Sequence, residues 1–436
     1  MTPAPSHTNL VEAHAHILAH GRSLTMATLR PCTCVADALE VIRAEAARLS
    51  AANEPLDAWV LAAGARISSW SDARWPTREE LDHTGAGRPV CLMSFDHHAV
   101  CSNARAMLAA GLADDSPNPE GGVIVRDAAG KPTGELLEAA AYLVWHAAPA
   151  PGPSLIRQHA LAALHDFARL GFTEVHDMLA QPELGPLLAS LDRAGELPIT
   201  VRLYAPWRDI TSFAREANAW TTPRVSLAGG KIFADGTLNS RTAWMLAPYA
   251  HPLHHFPTGR PVHTSAELRE AIIACRDANL GLAAHAIGDG AVRAMLDAFE
   301  DINPPANLER RIEHCELIDD ADVPRFAKLG VTASVQPCHL LYDMEVLSRE
   351  LPHRLDRVLP LRDLLNAGLT PGHTLRFGSD APIVRPNPHD SIEAAVHRRP
   401  TTRAGNGRCE PHPPWSPIAP AQALTEPEAW SCFRPT

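Results

Sequence analysis

From about Gly171 the chain alternates between two spacings of apolar residues. Short runs rich in Val, Ile and Leu, bounded by Gly or Pro, read as strands. Between them lie longer stretches with apolar residues three and four apart, which read as helices. "GFTEVHDM" (Gly171–Met178) follows the helical "LIRQHALAALHDFARL", and "PITVRLYA" (Pro198–Ala205) and "VSLAGGKIFADG" (Val225–Gly236) come next. "GLAAHAIGD" (Gly281–Asp289) follows "SAELREAIIACRDAN", and "RRIEHCEL" (Arg310–Leu317) follows "GAVRAMLDAFEDI". "GVTASVQP" follows "DDADVPRFAKL", and "LRFGSDAP" (Leu375–Pro382) follows "LRDLLNAGL". With "NLVEAHAHI" at the front this makes about eight strands, the number that closes a (β/α)8 barrel.

One long segment breaks the alternation. It holds "DAWVLAAGARI", "RPVCLMSFDHHAV" and "GGVIVRDAAGKPTGEL"; the last predicts a hairpin turning at Asp127–Lys131, with Gly130 available for positive φ. The expected organisation is α/β: residues 9–40 open the barrel, 41–150 form an insertion over its catalytic face, 151–398 complete the barrel, and 399–436 are a loosely attached tail rich in proline and glycine. "TEPEAW" in that tail can start one short helix.

The 436 residues, 45% of them apolar, leave room for a large core. No stretch has the apolar length of a membrane span, and "MTPAPSHTNL" lacks the regions of a signal peptide, so the expected location is cytoplasmic. A net charge of −11 argues against a nucleic-acid partner and leaves a small molecule as the expected one. The 9 cysteines show no C-x-x-C spacing, since Cys32 and Cys34 are one residue apart, and read as reduced, mostly buried thiols.

The 23 histidines change the picture more. His14 and His16 lie two apart on the first strand and so face one side. His285 interrupts "LAAHAIGD", His314 follows Ile312 and Glu313, Lys231 interrupts "GGKIFADG", and Asp380 ends "LRFGSD". The strand ends of a barrel converge on one mouth, so four histidines, an aspartate and a lysine would meet there. Imidazole and carboxylate suit zinc and similar divalent ions. Each of these residues also has an ordinary reading as a core or ion-paired side chain. What joins them is that burial without a partner costs several kcal/mol, and a shared metal removes that cost. Lys231 is the misfit. It either pairs with a carboxylate such as Asp235, or reacts with CO2 to give a carbamate (carboxylysine) that bridges two ions. A binuclear centre then yields a metal-activated hydroxide, with Asp380 as general base and acid.

"EAHAH", "KIFADGTLNSRTA", "AAHAIGDGAVRAMLDA", "RIEHCELID", "TASVQPCHLLYDM" and "RFGSDAPI", in this order, resemble the YtcJ-like branch of the amidohydrolase superfamily, which includes N-substituted formamide deformylase. The resemblance runs from Leu10 to about Arg398. It implies a distorted (β/α)8 TIM barrel and a metal-dependent hydrolase holding one or two ions, with zinc expected. Carried over residue by residue, it makes His14, His16, Lys231, His285, His314 and Asp380 the metal ligands. Asp96, His98 and Asn103, and with less support Arg241 and Gln336, would face the substrate; His176 would stand behind the ligands. The expected reaction is cleavage of a non-peptide carbon–nitrogen bond, in an N-formyl or other N-acyl amide. Ester or lactone hydrolysis on the same centre, and a non-catalytic metal-binding barrel, stay open as alternatives. Two departures bear on the site: Glu12 stands where the family commonly has aspartate, and Asn239 where glycine is usual. A small β-sandwich normal in the family is expected to be missing, which would expose apolar barrel surface for a second subunit or the tail to cover.

Overall fold

The structure is a computed structural model that describes residues 8–67, 70–94, 99–119, 122–253, 255–399 and 416–435. The chain divides into two compact units, residues 1–20 with 160–436 and residues 21–159. It opens with β1 (Leu10–Ala15) and α1 (Ile17–Thr25). The second unit follows, with β2 (Ala27–Thr28), α2 (Val35–Ala51), β3 (Val60–Ala65), α3 (Arg78–Thr84), β4 (Val90–Ser94), β5 (Ala99–Ser102), α4 (Ala104–Ala109), β6 (Gly122–Arg126), β7 (Pro132–Glu138) and α5 (Ala139–Ala147). After α6 (Pro153–Arg169) come β8 (Phe172–Met178), α7 (Leu184–Arg193), β9 (Thr200–Pro206), α8 (Ile210–Trp220), β10 (Val225–Phe233), α9 (Ser265–Asp277), β11 (Gly281–Ala286), α10 (Asp289–Ile302) and β12 (Arg310–His314). The barrel ends with α11 (Val323–Leu329), β13 (Val331–Val335), α12 (Leu340–Glu350), α13 (Leu361–Asn366), β14 (Leu375–Phe377), α14 (Pro388–His397) and α15 (Glu426–Ser431).

The eight strands expected from the sequence are the eight of the barrel. They run in the order β1-β8-β9-β10-β11-β12-β13-β14, every neighbouring pair parallel. Helices with one apolar stripe cover the outside; Phe167 of α6, Leu188 of α7 and Phe213 of α8 are buried in one continuous core. Helix limits follow local chemistry. Thr264 and Glu267 form a reciprocal capping box at the start of α9. Gly330, at φ 64, closes α11 in the left-handed conformation that glycine tolerates best.

No ladder joins β14 to β1, and the seam is closed differently along its length. Near the strand ends, Asp380 N–H donates to His14 O (2.7 Å) and His16 N–H to Ala381 O (2.8 Å). Nearer the start of β1, Val11 N–H donates to Phe433 O (2.6 Å), and Phe377 N–H of β14 to Cys432 O (3.2 Å). The last described residues therefore lie in the seam, where the composition of 399–436 had suggested a loose tail. The apolar residues Leu424, Trp430 and Phe433, few but well placed, override the proline-rich signal and are buried in the barrel core. The Phe433 ring stands 5.9 Å from Phe172 and 5.5 Å from Phe377. Phe433→Ala is expected to destabilise the chain by about 3–5 kcal/mol, the usual cost of emptying a buried aromatic site. Denaturant unfolding measures it, and a loss under about 1 kcal/mol would mean that the seam does not need this ring.

The second unit is a six-stranded mixed sheet, order β2-β3-β4-β5-β7-β6. Its first three strands are parallel and the rest antiparallel. One cluster joins Val35, Ile42 and Leu49 of α2 to Val60 and Leu92; another joins Met93, Val100 and Leu136 to Ala140 and Val144 of α5. The expected hairpin is β6–β7, where Asp127 N–H donates to Lys131 O (2.9 Å) and Gly130 has φ 81. The unit is wider than the expected 41–150, because β2 pairs with β3 and so belongs to this sheet.

Candidate metal centre

β1 and the turn after β14 bring three expected ligands together. Asp380 Oδ1 lies 3.3 Å from His14 Nε2 and 3.1 Å from His16 Nε2. Although so near, Asp380 Oδ1 has no aligned hydrogen-bond partner among the described residues. Burial alone would raise the Asp380 carboxyl, but His14 and His16 hold it well below the usual carboxylate range. The approach depends on Gly378, where an added Cβ would sit 2.6 Å from His14 N and 2.8 Å from Glu12 Oε1. Asp380 itself has φ 61, a strained setting for a side chain other than glycine.

β10, β11 and β12 supply the other three. The His14 and His314 rings are 4.9 Å apart and those of His285 and His314 4.3 Å, so the three imidazoles form a row. Burial, then the charge of Lys231, pushes His285 down to about 3. Burial, then the neighbouring imidazoles, holds His314 well below the ordinary histidine range. Both rings are therefore neutral, with lone pairs to offer. His285 Nε2 donates to Gly236 O (3.1 Å), which makes Nδ1 the nitrogen that carries the lone pair. His314, at φ 73, is a second strained residue, and its Nδ1 has no partner among the described residues.

Lys231 is buried and its Nζ also has no hydrogen-bond partner among the described residues. Burial pushes it down to about 8, against the pull of Glu313 and Asp380. Asp235 is not its partner. That carboxylate accepts from Trp244 N (2.9 Å), Ile287 N (3.0 Å) and Gly288 N (2.9 Å), and fastens the loops after β10 and β11 to each other.

Three more residues shape the site, and two of them, Glu313 and Arg311, were not singled out from the sequence. Glu313 Oε2 accepts from His14 Nδ1 (2.7 Å), which fixes the tautomer and directs Nε2 toward Asp380. Glu313 is in turn held by Arg311 Nε (2.6 Å). Burial would raise the Glu313 carboxyl, but Arg311, His14 and Lys231 hold it far below its ordinary value. Arg311 is fully buried and bonds five strands: Glu313 of its own β12, Ala13 O of β1, His176 Nδ1 of β8 (2.7 Å), Tyr204 Oη of β9 (3.2 Å) and Ser334 Oγ of β13 (2.9 Å). His176 thus faces Arg311 and, through Nε2, Glu174 (2.9 Å), and sits behind the ligands. Glu12 accepts from His14 N (3.1 Å) and Ser379 N (2.8 Å), tying β1 to the turn after β14; burial pushes it up to about 8. The available signal was Arg-x-Glu at period two in "RRIEH", two charges on one face of a strand otherwise destined for burial.

The expected substrate wall fares differently. Asp96 and His98 lie outside the described residues. Asn103 is buried as the N-cap of α4: Oδ1 accepts from Ala106 N and Val90 N (both 3.0 Å), and Nδ2 donates to Arg88 O (2.9 Å). Its amide is therefore engaged with backbone and does not face a ligand, a correction that follows from N-cap chemistry. Arg241 donates to His251 O (2.9 Å) and braces its loop. Gln336 follows β13, with Oε1 buried and unpartnered among the described residues.

The donors fit a divalent ion. Lys231 Nζ, His314 Nδ1 and Asp380 Oδ1 are buried polar atoms without partners, each expensive as such, beside imidazoles with preset tautomers. His14, His314 and Asp380 each offer an atom within 4.8 Å of the others. The set of imidazole and carboxylate is that of zinc-type sites.

Known proteins resemble the chain over most of its length. The chain is 28% identical over 395 residues to the putative amidohydrolase YtcJ of Bacillus subtilis, covering 89% of this chain and 72% of that protein. It is 27% identical over 440 residues to N-substituted formamide deformylase of Arthrobacter pascens, covering 96% and 76%. Its fold matches the crystal structure of an uncharacterized metal-dependent hydrolase from Pyrococcus furiosus, with TM-score 0.74 and 25% identity over 98% of this chain and 80% of that one. A sequence profile described as the amidohydrolase family matches residues 9–436, and the chain belongs to that family.

Proposed function

We propose that the chain hydrolyses a carbon–nitrogen bond in a non-peptide N-acyl amide, an N-formyl amide above all, with His14, His16, Lys231, His285, His314 and Asp380 holding zinc or a similar ion. The observation that carries this reading is the convergence of His14, His16 and Asp380 on one oxygen-centred point without hydrogen-bond alignment. An ion bound there supplies a Lewis acid for the substrate carbonyl and acidifies water. Asp380, ionised and at the rim, takes the proton from the attacking water and delivers it to the departing nitrogen. Lys231, with its pKa lowered and its Nζ unpartnered, is suited to react as a free amine with CO2, forming an N–C bond and releasing a proton; the resulting carbamate is an anionic ligand. The relation to a formamide deformylase supports the substrate class.

The test is a panel of N-formyl and N-acyl amides, esters and lactones, run with elemental analysis of the same sample. Amide turnover that stops on chelation and returns with zinc is expected. Turnover of esters or lactones alone would replace the proposed substrate class, and bound metal with no turnover on any of them would favour a binding role. Intact mass spectrometry under CO2 is expected to show one added CO2 that Lys231→Met removes.

A further inference from the structure

Beside the expected ligands stands a second set that shares only His314 with them. His314, Glu316 and His339 are all buried, at 3%, 6% and 8% exposure, and each offers an atom within 4.8 Å of the others. Glu316 lies two residues beyond His314, and between them the chain passes through two left-handed non-glycine residues, His314 (φ 73) and Cys315 (φ 49). The segment is fixed by Leu359 N–H donating to Glu316 O (2.7 Å). His339 stands in the short turn Pro337–His339 after β13. Its Nε2 donates to Ser379 O (3.2 Å), which assigns the other nitrogen, Nδ1, to face Glu316. Nδ1 and Glu316 Oε1 are 3.8 Å apart, too far for a hydrogen bond and suited to two ligands of one ion.

One further observation points to an absent partner. His314 Nδ1 is buried with no partner among the described residues. Nearby, half-buried Asp343 accepts at Oδ1 from Asn239 Nδ2 (2.9 Å). Asn239, the residue that replaces the usual glycine of its loop, thus tethers Asp343.

We propose that His314, Glu316 and His339 form a divalent-cation site distinct from the six expected ligands, suited by two imidazoles and a carboxylate to zinc or a similar borderline ion. It shares His314 with the first set, and apart from that residue does not depend on the proposed function.

Zinc is the probe. The full chain is stripped with a chelator, dialysed against zinc and analysed for metal per chain; affinity is read by competition with a chromogenic chelator. His339→Gln and Glu316→Gln are each expected to lose one zinc while retaining the ion that depends on His14 and His16. A His14→Ala/His16→Ala variant is expected to lose the other. Unchanged zinc content and affinity in both His339→Gln and Glu316→Gln overturns the site, whatever the double variant does. Full zinc content in the double variant would instead defeat the reading of the first site, so the two failures separate. Thermal unfolding of the metal-free proteins checks folding, and the isosteric Glu316→Gln decides alone if His339→Gln is unfolded.

Discussion

Replacing Arg311 with methionine is expected to destabilise the metal-free chain by about 3–5 kcal/mol, because it strands a buried anion. Arg311 and Glu313 are both fully buried, with Nε and Oε1 2.6 Å apart. Methionine matches much of the volume but supplies no charge. Glu313, which Arg311 keeps ionised, must then either stay charged in a dry interior or take up a proton. Protonation in turn weakens its hold on the His14 ring. The variant should therefore bind zinc less tightly even where it is folded, by about 10–100-fold, the usual effect of removing support behind a ligand. Arg311→Met combined with Glu313→Gln restores a neutral pair and is expected to be more stable than Arg311→Met alone. Denaturant curves of the four proteins give the coupling directly. A loss of under about 1 kcal/mol in Arg311→Met, or additive effects in the double variant, would remove Arg311 as the pin of the barrel.

That pin also marks where sequence reading reached its limit. All eight barrel strands were legible, because parallel strands buried on both faces read as apolar runs between helical periods. The six proposed ligands stood out for the opposite reason: each is a polar interruption near the end of such a run. Arg311 and Glu313 interrupt a run too, yet in "RRIEH" they resemble an exposed charge pair, and only the tertiary structure shows five strands closing round the guanidinium. Asn103 misled in the other direction. Next to "SFDHHAVCS" it looks like one more polar group of a binding wall, whereas its position immediately before a helix makes it an N-cap. The tail misled by composition: its prolines suggested a loose segment, and three well-placed apolar side chains proved decisive. Glu316 and His339 carried no reading at all, since a carboxylate after a turn and a histidine in a proline turn have no periodicity to violate.

Asp380→Asn is expected to lower kcat/KM by about 10³-fold or more on whichever substrate the chain turns over, about 4 kcal/mol of lost transition-state stabilisation. The substitution preserves shape, so the backbone bond from residue 380 N–H to His14 O (2.7 Å) and the closed seam should persist. It replaces an anionic oxygen that His14 and His16 approach at 3.3 and 3.1 Å with a neutral amide. Two losses follow, and they can be told apart. The amide is a poorer ligand, so the variant should need more zinc for half-occupancy; excess zinc repairs that defect. The amide also has no basic oxygen to accept a proton, and no amount of metal repairs that one. Activity measured at saturating zinc isolates the second loss, which should appear in kcat with KM little changed. If saturating zinc restores the wild-type kcat, Asp380 is a ligand only, and the proton must be carried by another group at the rim. His339 is the first to test there, because its Nε2 already reaches the carbonyl of Ser379, the residue before Asp380.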